Sequence, residues 1–586
     1  MQYIIGAYSQ LPAGSSVEEY ETLLTQQLRP LLTMIYRNSN YKLLFRLSIS
    51  EFEYIEQNHP EVNMLINDLC KKGKMELLTS SYYDVVLSLI PTHERTSQIE
   101  KTTTYIRKNF SKKPKGFWFY NQVFNPSCIP IINLLGLNYT VISTYNQLTN
   151  HTESTRPFYT EELGKQMLVI PTDDKFSKET SELYKKNINL DKYLENMKKL
   201  AKDASNALCT VMLNLDQLMS TEGSVDVFNV LYESFGPNCT LPNIYTQENE
   251  ISRTHYLPNG LYGRDYSIGK AGSINQLILD SPILSRNYGL VNMLRDVVRD
   301  SKKLIDERKN IENLLMKASS SSLYFPDECK TPSVRRHVNR YCCELETMLS
   351  KILPEEFDID FDRVEDFIIE GKSHIAYLRK KGGSLSRFVV TSSLTDLLFH
   401  SGDGLFCDSF INLATNRETN LSAKPYELTA LDKRRVDFFA KAPQVLLGKS
   451  QINLTKRYKF RQSTVILEVE IENLSEEVVD NYLYENQINI VLPEGCHINE
   501  TSQSLNISNN ASTISIAFSE DVTIVRNDFE QKTHTWLGDK SFYEYTQFKI
   551  QKKLSLGPFE DTRLTIGFRT EKHKEKTNDT SEQSST

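Results

Sequence analysis

Residues 42–78, KLLFRLSISEFEYIEQNHPEVNMLINDLCKKGKMELL, contain the pattern that decides the fold of this chain. The apolar run at 42–47 predicts a buried strand, and a second apolar run follows at 75–78. Between these runs, the spacing of apolar residues over 51–72 predicts a helix that ends at Gly73. Its apolar face consists of Phe52, Ile55, Met64, Leu65 and Leu69. Two short buried strands joined by a helix indicate a parallel pair with a crossover connection.

The same alternation continues on both sides of this stretch. Further strands are predicted at 3–5, 116–119, 139–142 and 208–213, with helices at 18–37 and 95–109. Strands separated by crossover helices form parallel sheets, and this number of repeated units predicts a barrel. We therefore predict a (β/α) barrel domain over residues 1–259.

The pattern changes twice after the barrel. Residues 260–353 are mostly helical, with long amphipathic stretches at 291–316 and 334–352. Beyond Pro354, apolar and polar residues alternate with period two, and the apolar members are Val465, Leu467, Val469, Ile471, Ile514, Ile516, Phe518, Leu564, Ile566 and Phe568. This alternation predicts an antiparallel β-sandwich over 354–571. The polar segment 572–586 is expected to be a disordered tail.

Composition excludes several classes of protein. A net charge of −7 gives no basic excess to neutralise phosphates, so we expect no nucleic-acid partner. The nine cysteines form no CxxC pair, and the histidines stand alone, so neither a disulfide framework, a metal site nor a cofactor is predicted. No apolar run is long enough for a membrane span, and the first residues do not form a signal peptide. We expect a cytoplasmic protein without a membrane partner, and the sequence leaves its oligomeric state open.

Several segments, read in order, resemble one enzyme family. They are LRPLL at 28–32, LS at 47–48, YIEQNHPE at 54–61, LCKKGKMELL at 69–78, SYYD at 81–84, LIPTHER at 89–95 and GFW at 116–118, and later stretches at 285–294, 324–347 and 358–362 continue the match. These segments are similar to glycoside hydrolase family 57, in its 4-α-glucanotransferase and α-amylase-like branch. The resemblance implies a (β/α)7-type barrel, a helical segment and a C-terminal antiparallel β-sandwich.

The resemblance also implies a retaining reaction. A carboxylate nucleophile and a carboxylic acid would flank the glycosidic bond, about 5–5.5 Å apart. The nucleophile position falls on Asn121, within Asn121-Gln122-Val123-Phe124-Asn125-Pro126. The acid/base position falls on Leu215, although the alignment of this segment allows a slip by one residue. Neither an amide nor an aliphatic side chain can perform these steps.

Other positions of the family's motifs are also changed. The first motif, His-x-His-x-Pro-x-Gly, is here Tyr8-Ser9-Gln10-Leu11-Pro12-Ala13-Gly14, without either histidine. Asp84 replaces a glutamate of the second motif, and Asp216 follows the lost acid/base position, so both are candidate residual carboxylates. Changed motif positions also fall at 143–146 and at 321–326. The candidate glycan-binding residues are Tyr8, Gln10, Tyr82, Tyr83, Trp118 and Asn121.

Three hypotheses follow from these substitutions. The first is a pseudoenzyme that keeps the fold and binds an α-glucan or a protein partner through the former cleft. The second is an active, diverged glucanotransferase or amylase that uses relocated carboxylates. The third is a purely structural interaction protein whose cleft is filled by its own bulky side chains, such as Tyr8, Tyr120, Phe124 and Met219.

Overall fold

The computed structural model describes most of the chain. The structure describes residues 2–143, 156–204, 208–261, 273–300, 307–325, 332–399, 404–430, 437–441, 445–510 and 512–572. The chain divides into two compact units. The first contains residues 1–284, 316–338 and 532–541, and the second contains 285–315, 339–531 and 542–586. The predicted domain boundaries at 259 and 353 stay predictions.

The first unit is built on parallel strands. Its strands are β1 (Gln2–Tyr8), β2 (Leu43–Arg46), β3 (Met75–Leu77), β4 (Gly116–Phe117), β5 (Val123–Phe124), β6 (Tyr139–Ile142), β7 (Phe158–Glu162), β8 (Lys165–Pro171), β9 (Leu208–Asn214) and β10 (Gly260–Leu261). Two parallel series, β9-β1-β2-β3 and β4-β6-β8, are linked by a parallel bridge between Thr79 and Phe117. The Asp173 amide donates to the Thr210 carbonyl at 2.8 Å and so connects β8 to β9. The predicted barrel is therefore confirmed.

Side chains from these parallel strands fill the inside of the barrel. The interior cluster consists of Ile4, Leu44, Leu78, Trp118, Tyr139, Val141, Leu168, Ile170, Leu208 and Met212 from the strands and their ends, together with Tyr245 from the helix Pro242–Glu248. Large side chains fit there because glycines face them. A Cβ atom on Gly116 would lie 2.3 Å from the Tyr139 ring, and one on Gly6 would lie 2.0 Å from Met212 Sδ. The described strand residues thus form a packed core inside the barrel.

Helices cover the outside of the strands. They are α1 (Val17–Thr22), α2 (Arg29–Arg37), α3 (Ile49–Asn58), α4 (Pro60–Lys71), α5 (Thr92–Phe110), α6 (Ile129–Leu134), α7 (Asp174–Tyr184), α8 (Leu190–Asp203), α9 (Leu215–Leu218), α10 (Val227–Phe235) and α11 (Pro242–Glu248). A π-helical turn, Leu23–Leu28, joins α1 to α2. The predicted helix at 51–72 is two helices, because His59 has a non-helical backbone and Pro60 begins α4. This break changes the helix phase, so Met64 is exposed.

Short 3₁₀ turns and further helices complete the helical part of the chain. The turns are Leu87–Leu89, Tyr120–Gln122, Pro126–Cys128, Ser224–Asp226, Ser321–Leu323 and Ser350–Ile352. The later helices are α12 (Ile274–Leu279), α13 (Pro282–Asp300), α14 (Arg308–Ala318) and α15 (Pro332–Leu349). None of the helices in the described residues is long and apolar enough to cross a lipid bilayer.

The second unit contains two large antiparallel sheets. Its strands are β11 (Glu356–Phe357), β12 (Asp366–Glu370), β13 (His374–Arg379), β14 (Ser384–Val390), β15 (Thr395–Asp396), β16 (Leu405–Asn412), β17 (Arg417–Asn420), β18 (Glu427–Ala430), β19 (Asp437–Lys441), β20 (Val445–Leu447), β21 (Ser450–Arg461), β22 (Thr464–Asn473), β23 (Val479–Ile490), β24 (His497–Thr501), β25 (Ser504–Ser508), β26 (Ser512–Phe518), β27 (Thr523–Thr535), β28 (Gly538–Leu556) and β29 (Asp561–Lys572). One sheet has the order β11-β12-β13-β14-β16-β23-β28-β27, and the other β18-β19-β21-β22-β29-β26-β25-β24.

The alternating residues found in the sequence form the core of this sandwich. All ten of them are buried in a single hydrophobic cluster, which confirms the predicted face. A fully buried ion pair, Lys456 with Asp408, lies within the same unit, where Tyr426 and Tyr484 also donate to the carboxylate. Lys572 was predicted to begin a tail but ends β29, because its backbone pairs with Ser512. The rest of that predicted tail, 573–586, lies outside the described residues.

The tip of the β27–β28 hairpin belongs to the first unit. Residues 532–541 are grouped with the barrel, and Trp536 is buried in the apolar cluster outside β1, β2, β3 and β9. The Tyr184 hydroxyl donates to the His534 carbonyl at 2.8 Å, and the two rings meet edge to face. The first unit is therefore completed by a segment that lies far along the sequence.

Candidate functional site

The carboxyl ends of parallel barrel strands lie at one rim, where loop residues can converge on a ligand. Tyr8 ends β1, Arg46 ends β2 and Asn214 ends β9. The residues that follow these strands, together with the turn at 120–122, form the site described below, which we call the barrel mouth.

Gln10 and Asn121 meet at the barrel mouth. The Gln10 side-chain amide donates to Asn121 Oδ1 at 2.9 Å. Asn121 is the middle residue of the 3₁₀ turn at 120–122, and its backbone is left-handed, with φ of 53°. Both side chains are buried, yet Gln10 Oε1 and Asn121 Nδ2 have no hydrogen-bond partner. One acceptor and one donor are thus left unpaired beside each other, at a substantial desolvation cost.

Asp216 and Glu51 share one serine hydroxyl. The Ser9 hydroxyl is within hydrogen-bonding distance of both Glu51 Oε1 and Asp216 Oδ1. Asp216 Oδ2 accepts the Gln10 backbone amide at 3.0 Å, and Glu51 Oε1 accepts that of Leu11 at 3.3 Å. Burial, followed by the negative charge of Asp216, raises the pKa of Glu51 to about 8, and burial raises the pKa of Asp216 to about 6. Two acids so close together retain protons more strongly than isolated ones.

Arg46 joins these acids to Asp84. Its guanidinium is fully buried and forms an ion pair with Asp84, while also donating to the Ser9 carbonyl and the Ser80 hydroxyl. The guanidinium lies 5.8 Å from the centre of the Tyr120 ring. The Ser321 amide donates to the Asp84 carbonyl at 3.1 Å, so the backbone of Asp84 is fixed as well. Asp84 is therefore paired and buried.

A further carboxylate, Asp174, lies where β6 and β8 end. The Ser143 hydroxyl donates to Asp174 Oδ2, and the Thr172 hydroxyl donates to Asp174 Oδ1 at 2.8 Å. Burial raises its pKa, although the side chain is only partly buried. The Ser143 amide donates to Gln122 Oε1 at 3.0 Å, which connects this group to the turn containing Asn121. Residues 144–146 of the same changed motif lie outside the described residues, as does Pro326 of the later one.

The side chain of Leu215 does not face the barrel mouth. Alternate residues of β9 face opposite sides, so that Leu208 and Met212 point into the barrel, whereas Val211 and Leu213 pack against the outer helices. Leu215 continues the outer series and is buried there, and Asn214 stands in the inward series. This placement corresponds to the slip by one residue that the alignment allowed. The inward position at the end of β9 is thus an amide, as at Asn121.

The candidate glycan-binding aromatics separate into two places. The Tyr8 and Trp118 rings pack together at 4.6 Å, and the buried Trp118 Nε1 has no hydrogen-bond partner. Tyr82 and Tyr83 instead pack against the outer apolar clusters, and the Tyr82 hydroxyl donates to Glu53 on α3 at 3.0 Å. Tyr8, Gln10, Trp118 and Asn121 therefore remain as candidates at the mouth.

The bulky residues expected to fill the cleft are also divided. Tyr120 is buried near Arg46, in agreement with a filled mouth. Phe124 and Met219 belong to the outer clusters, because their side chains pack against the helix layer. Most of the filling at the mouth is therefore polar, by Arg46, Glu51 and Asp216.

Sequence reasoning overlooked Ser9, Arg46 and Glu51. Glu51 forms a capping box with Ser48, so its spacing has a local structural explanation. Arg46 could have been found from the sequence, since an arginine inside the apolar run 43–47 implies a buried charge that needs partners.

Comparison with known proteins supports the resemblance. Residues 9–262 match the family model described as Glycosyl hydrolase family 57. A 4-α-glucanotransferase of Thermococcus kodakarensis is 28% identical over 178 residues, which are 30% of this chain and 27% of that protein. An α-amylase of Pyrococcus abyssi is 28% identical over 182 residues, with the same coverage of both chains. The chain thus matches about a quarter of the length of these curated relatives.

A solved structure resembles nearly the whole chain. The crystal structure of the 4-α-glucanotransferase from Thermococcus litoralis aligns with a TM-score of 0.78, covering 97% of this chain and 99% of that one. The sequence identity is 18%, so this likeness establishes the fold alone. The predicted fold class and the family resemblance are both confirmed.

Proposed function

Residues 9–262 match glycosyl hydrolase family 57, and from this match we propose that the chain is a relative of the family's glucanotransferases and amylases that binds an α-glucan without cleaving it. One observation carries the proposal. By the family resemblance the nucleophile position falls on Asn121, and Glu51, Asp84 and Asp216 at the same mouth are buried and bound by the protein's own groups.

Cleavage of a glycosidic bond by the family's retaining mechanism requires two acidic groups that are free to contact the sugar. A retaining enzyme needs a carboxylate nucleophile on one side of the glycosidic bond and a proton donor on the other. The Asn121 amide can neither form the glycosyl ester nor balance a positive transition state. The absence of a general acid alone lowers a rate by about 10²–10⁴.

The alternative, an active enzyme that uses relocated carboxylates, is less well supported by the geometry of the barrel mouth. A retaining pair is separated by about 5–5.5 Å so that a sugar ring can lie against it. Glu51 and Asp216 contact the same Ser9 hydroxyl and are each 1% exposed, which leaves no room for a ring between them. Asp84 is held by Arg46, and Asp174 by two hydroxyls.

The unpaired polar atoms favour a neutral polyhydroxylated ligand. Asn121 Nδ2 and Trp118 Nε1 are free donors, and Gln10 Oε1 is a free acceptor. Sugar hydroxyls both donate and accept, and the Tyr8–Trp118 pair supplies an aromatic surface beside them. An anionic ligand is disfavoured, since Arg46 already forms an ion pair with Asp84, and Glu51 and Asp216 lie nearby. A cytoplasmic location stays part of the proposal, supported by the free thiol state of the eight described cysteines.

A second candidate is a structural role with a closed mouth. The burial of Gln10 and Asn121, at 9% and 4% exposure, favours it. The two candidates differ in one measurable property. A binder gains thermal stability as glycan is added, whereas a closed structural protein does not.

The test combines turnover and binding on the full chain. Incubation with maltoheptaose should yield no hydrolysis or transfer products by chromatography. Products that disappear in Asp216→Asn, Asp84→Asn or Asp174→Asn would show an active enzyme instead.

Calorimetric titration with maltoheptaose should show saturable binding that is lost in Asn121→Leu and kept in Gln57→Leu, an exposed amide on α3. If the folded wild-type protein does not bind maltoheptaose, glycan binding is refuted and the structural role is favoured.

A further inference from the structure

Two loops cross one end of the β-sandwich side by side. Residues 474–478 connect β22 of one sheet to β23 of the other, and residues 557–560 connect β28 back to β29. Val479, the first residue of β23, pairs with Leu556, the last residue of β28. The two loops therefore begin and end on neighbouring strands, and both belong to the second unit.

One asparagine fastens the two loops together. The Asn473 side-chain amide donates to the Glu477 carbonyl at 2.7 Å and to the Gly557 carbonyl at 2.9 Å. Its side-chain oxygen accepts the Ser475 hydroxyl at 2.6 Å, and its backbone amide donates to the Glu560 carbonyl at 2.9 Å. Because Asn473 is fully buried, the arrangement of both loops is fixed from inside the domain.

Large apolar side chains are exposed on these loops and beside them. Leu474, Val478 and Phe559 are all exposed, although each belongs to a type of side chain that is usually buried. Leu446 is exposed as well and lies opposite Gln451, whose carbonyl accepts the Leu474 amide at 2.8 Å. A single exposed apolar residue is ordinary, but a group of them at one end of a domain indicates an interaction site. We call Leu446, Leu474, Val478 and Phe559 the end patch.

Phe559 is exposed in a backbone conformation that disfavours it. The Glu560 amide donates to the Gly557 carbonyl at 3.3 Å and closes the turn, and Phe559 at the third position has a φ of 57°. With proline before it, this is the position of a type II turn at which glycine is favoured. The ring is 66% exposed, so it does not repay the backbone strain by packing in the core. Strain that the fold does not explain indicates a role in binding.

Acidic side chains surround the end patch. Glu476 and Glu477 lie in the first loop, Glu560 ends the second, and Asp480 follows at the start of β23. All four are exposed, and none forms an ion pair with a basic residue in the part of the chain that the structure describes. Neither loop contains a lysine, arginine or histidine. Lys449, shortly after β20, brings the charge of this group from −4 to −3.

We infer that the end patch docks a basic segment of another protein, in which lysine or arginine side chains lie beside apolar ones. The apolar groups of the segment bury the end patch, and its cations pair with the surrounding carboxylates, so charge complementarity selects the partner. A second copy of this chain fits less well, because a two-fold contact brings the same carboxylates face to face. An anionic lipid surface repels them. This docking surface shares no residue with the barrel mouth.

The test is a titration of a fluorescent leucine–lysine peptide with the full chain, followed by anisotropy. The peptide is about five helical turns long and carries its leucines on one face. It should bind saturably and more weakly as salt is added, whereas a twin with glutamate in place of lysine should not saturate. No saturable binding of the basic peptide, or equal binding of both peptides, would overturn the proposal.

Variants locate the surface. Leu474→Ser with Val478→Ser should weaken peptide binding about tenfold. The matched control is Leu134→Ser with Leu163→Ser, two exposed leucines of the first unit, which should bind like the wild type. Equal affinities of the two variants would refute the inference.

The acidic side chains have a test of their own. Glu476→Gln with Glu477→Gln should weaken peptide binding and reduce its dependence on salt. Glu222→Gln with Glu233→Gln, two exposed carboxylates of the first unit, should do neither. Unchanged binding in the first of these variants would contradict a partner chosen by its charge.

Phe559→Gly separates docking from folding. It should weaken peptide binding about tenfold, yet leave Tm unchanged or raise it by up to about 4 °C, since glycine adopts a left-handed backbone without strain. A lower Tm would show that the ring serves the fold and would count against the proposal. Light scattering and vesicles containing phosphatidylserine examine the other occupants. Self-association or vesicle binding that is lost in Leu474→Ser with Val478→Ser would replace the basic partner by a second copy or by a membrane.

Discussion

Replacing Arg46 by methionine should destabilise the barrel more than most single changes. The side chain is fully buried, and its removal leaves the buried Asp84 without a counter-ion and the Ser9 carbonyl without a donor. Breaking a buried pair in this way costs about 3–5 kcal/mol. For a unit of this size that corresponds to a fall in Tm of roughly 6–20 °C.

Tryptophan fluorescence during urea unfolding measures this effect selectively. The chain has two tryptophans, Trp118 and Trp536, and both belong to the first unit. Arg29→Met is the matched control, since Arg29 pairs with Glu61 on the exposed surface and should contribute less than about 1 kcal/mol. Adding Asp84→Asn to Arg46→Met should recover part of the loss. A loss below about 1 kcal/mol for Arg46→Met, or no recovery in the double variant, would refute the buried ion pair.

Two further predictions concern the same unit. The folded-state pKa values of Glu51 and Asp216 are raised above their ordinary values near 4, so their contribution to stability is full below that pH and is lost as pH rises toward 8. Urea unfolding should show a less stable barrel at pH 8 than at pH 5, by at most about 1.4 kcal/mol per pH unit for one proton, and Glu51→Gln should flatten the slope. Gly116→Ala should lower Tm by several degrees, at a cost of about 1–3 kcal/mol, because its methyl group would overlap Tyr139, whereas Gly567→Ala, with no atom closer than 4.0 Å, should be tolerated.

The periodic parts of the fold could be predicted from the sequence, because burial imposes the period. The strand at 43–46 and the alternating residues of β22, β26 and β29 are examples. The β7–β8 hairpin was missed, since β7 runs antiparallel at the edge and only partly buries its side chains. The break at Pro60 was also missed, because the apolar spacing continues across it.

The barrel mouth was harder to predict than the fold. Motif positions led to Asn121, Gln10 and Asp216, which the structure brings together. Leu215 and the Tyr82–Tyr83 pair were assigned to the mouth, yet each faces the helix layer, because the direction of a side chain depends on strand register and loop geometry. Partners distant in sequence, such as Ser9 with Asp216, are defined only by the closed barrel.

The hairpin tip at 532–541 has a consequence for how the protein matures on the ribosome. Trp536 completes an apolar layer whose other members lie within the first 240 residues. After residue 284 has been made, 247 more residues must follow before residue 532, which takes on the order of 12–50 s at typical elongation rates. During that interval the nascent barrel exposes the apolar surface that the tip later covers, and exposed apolar surface of this kind is what chaperones shield.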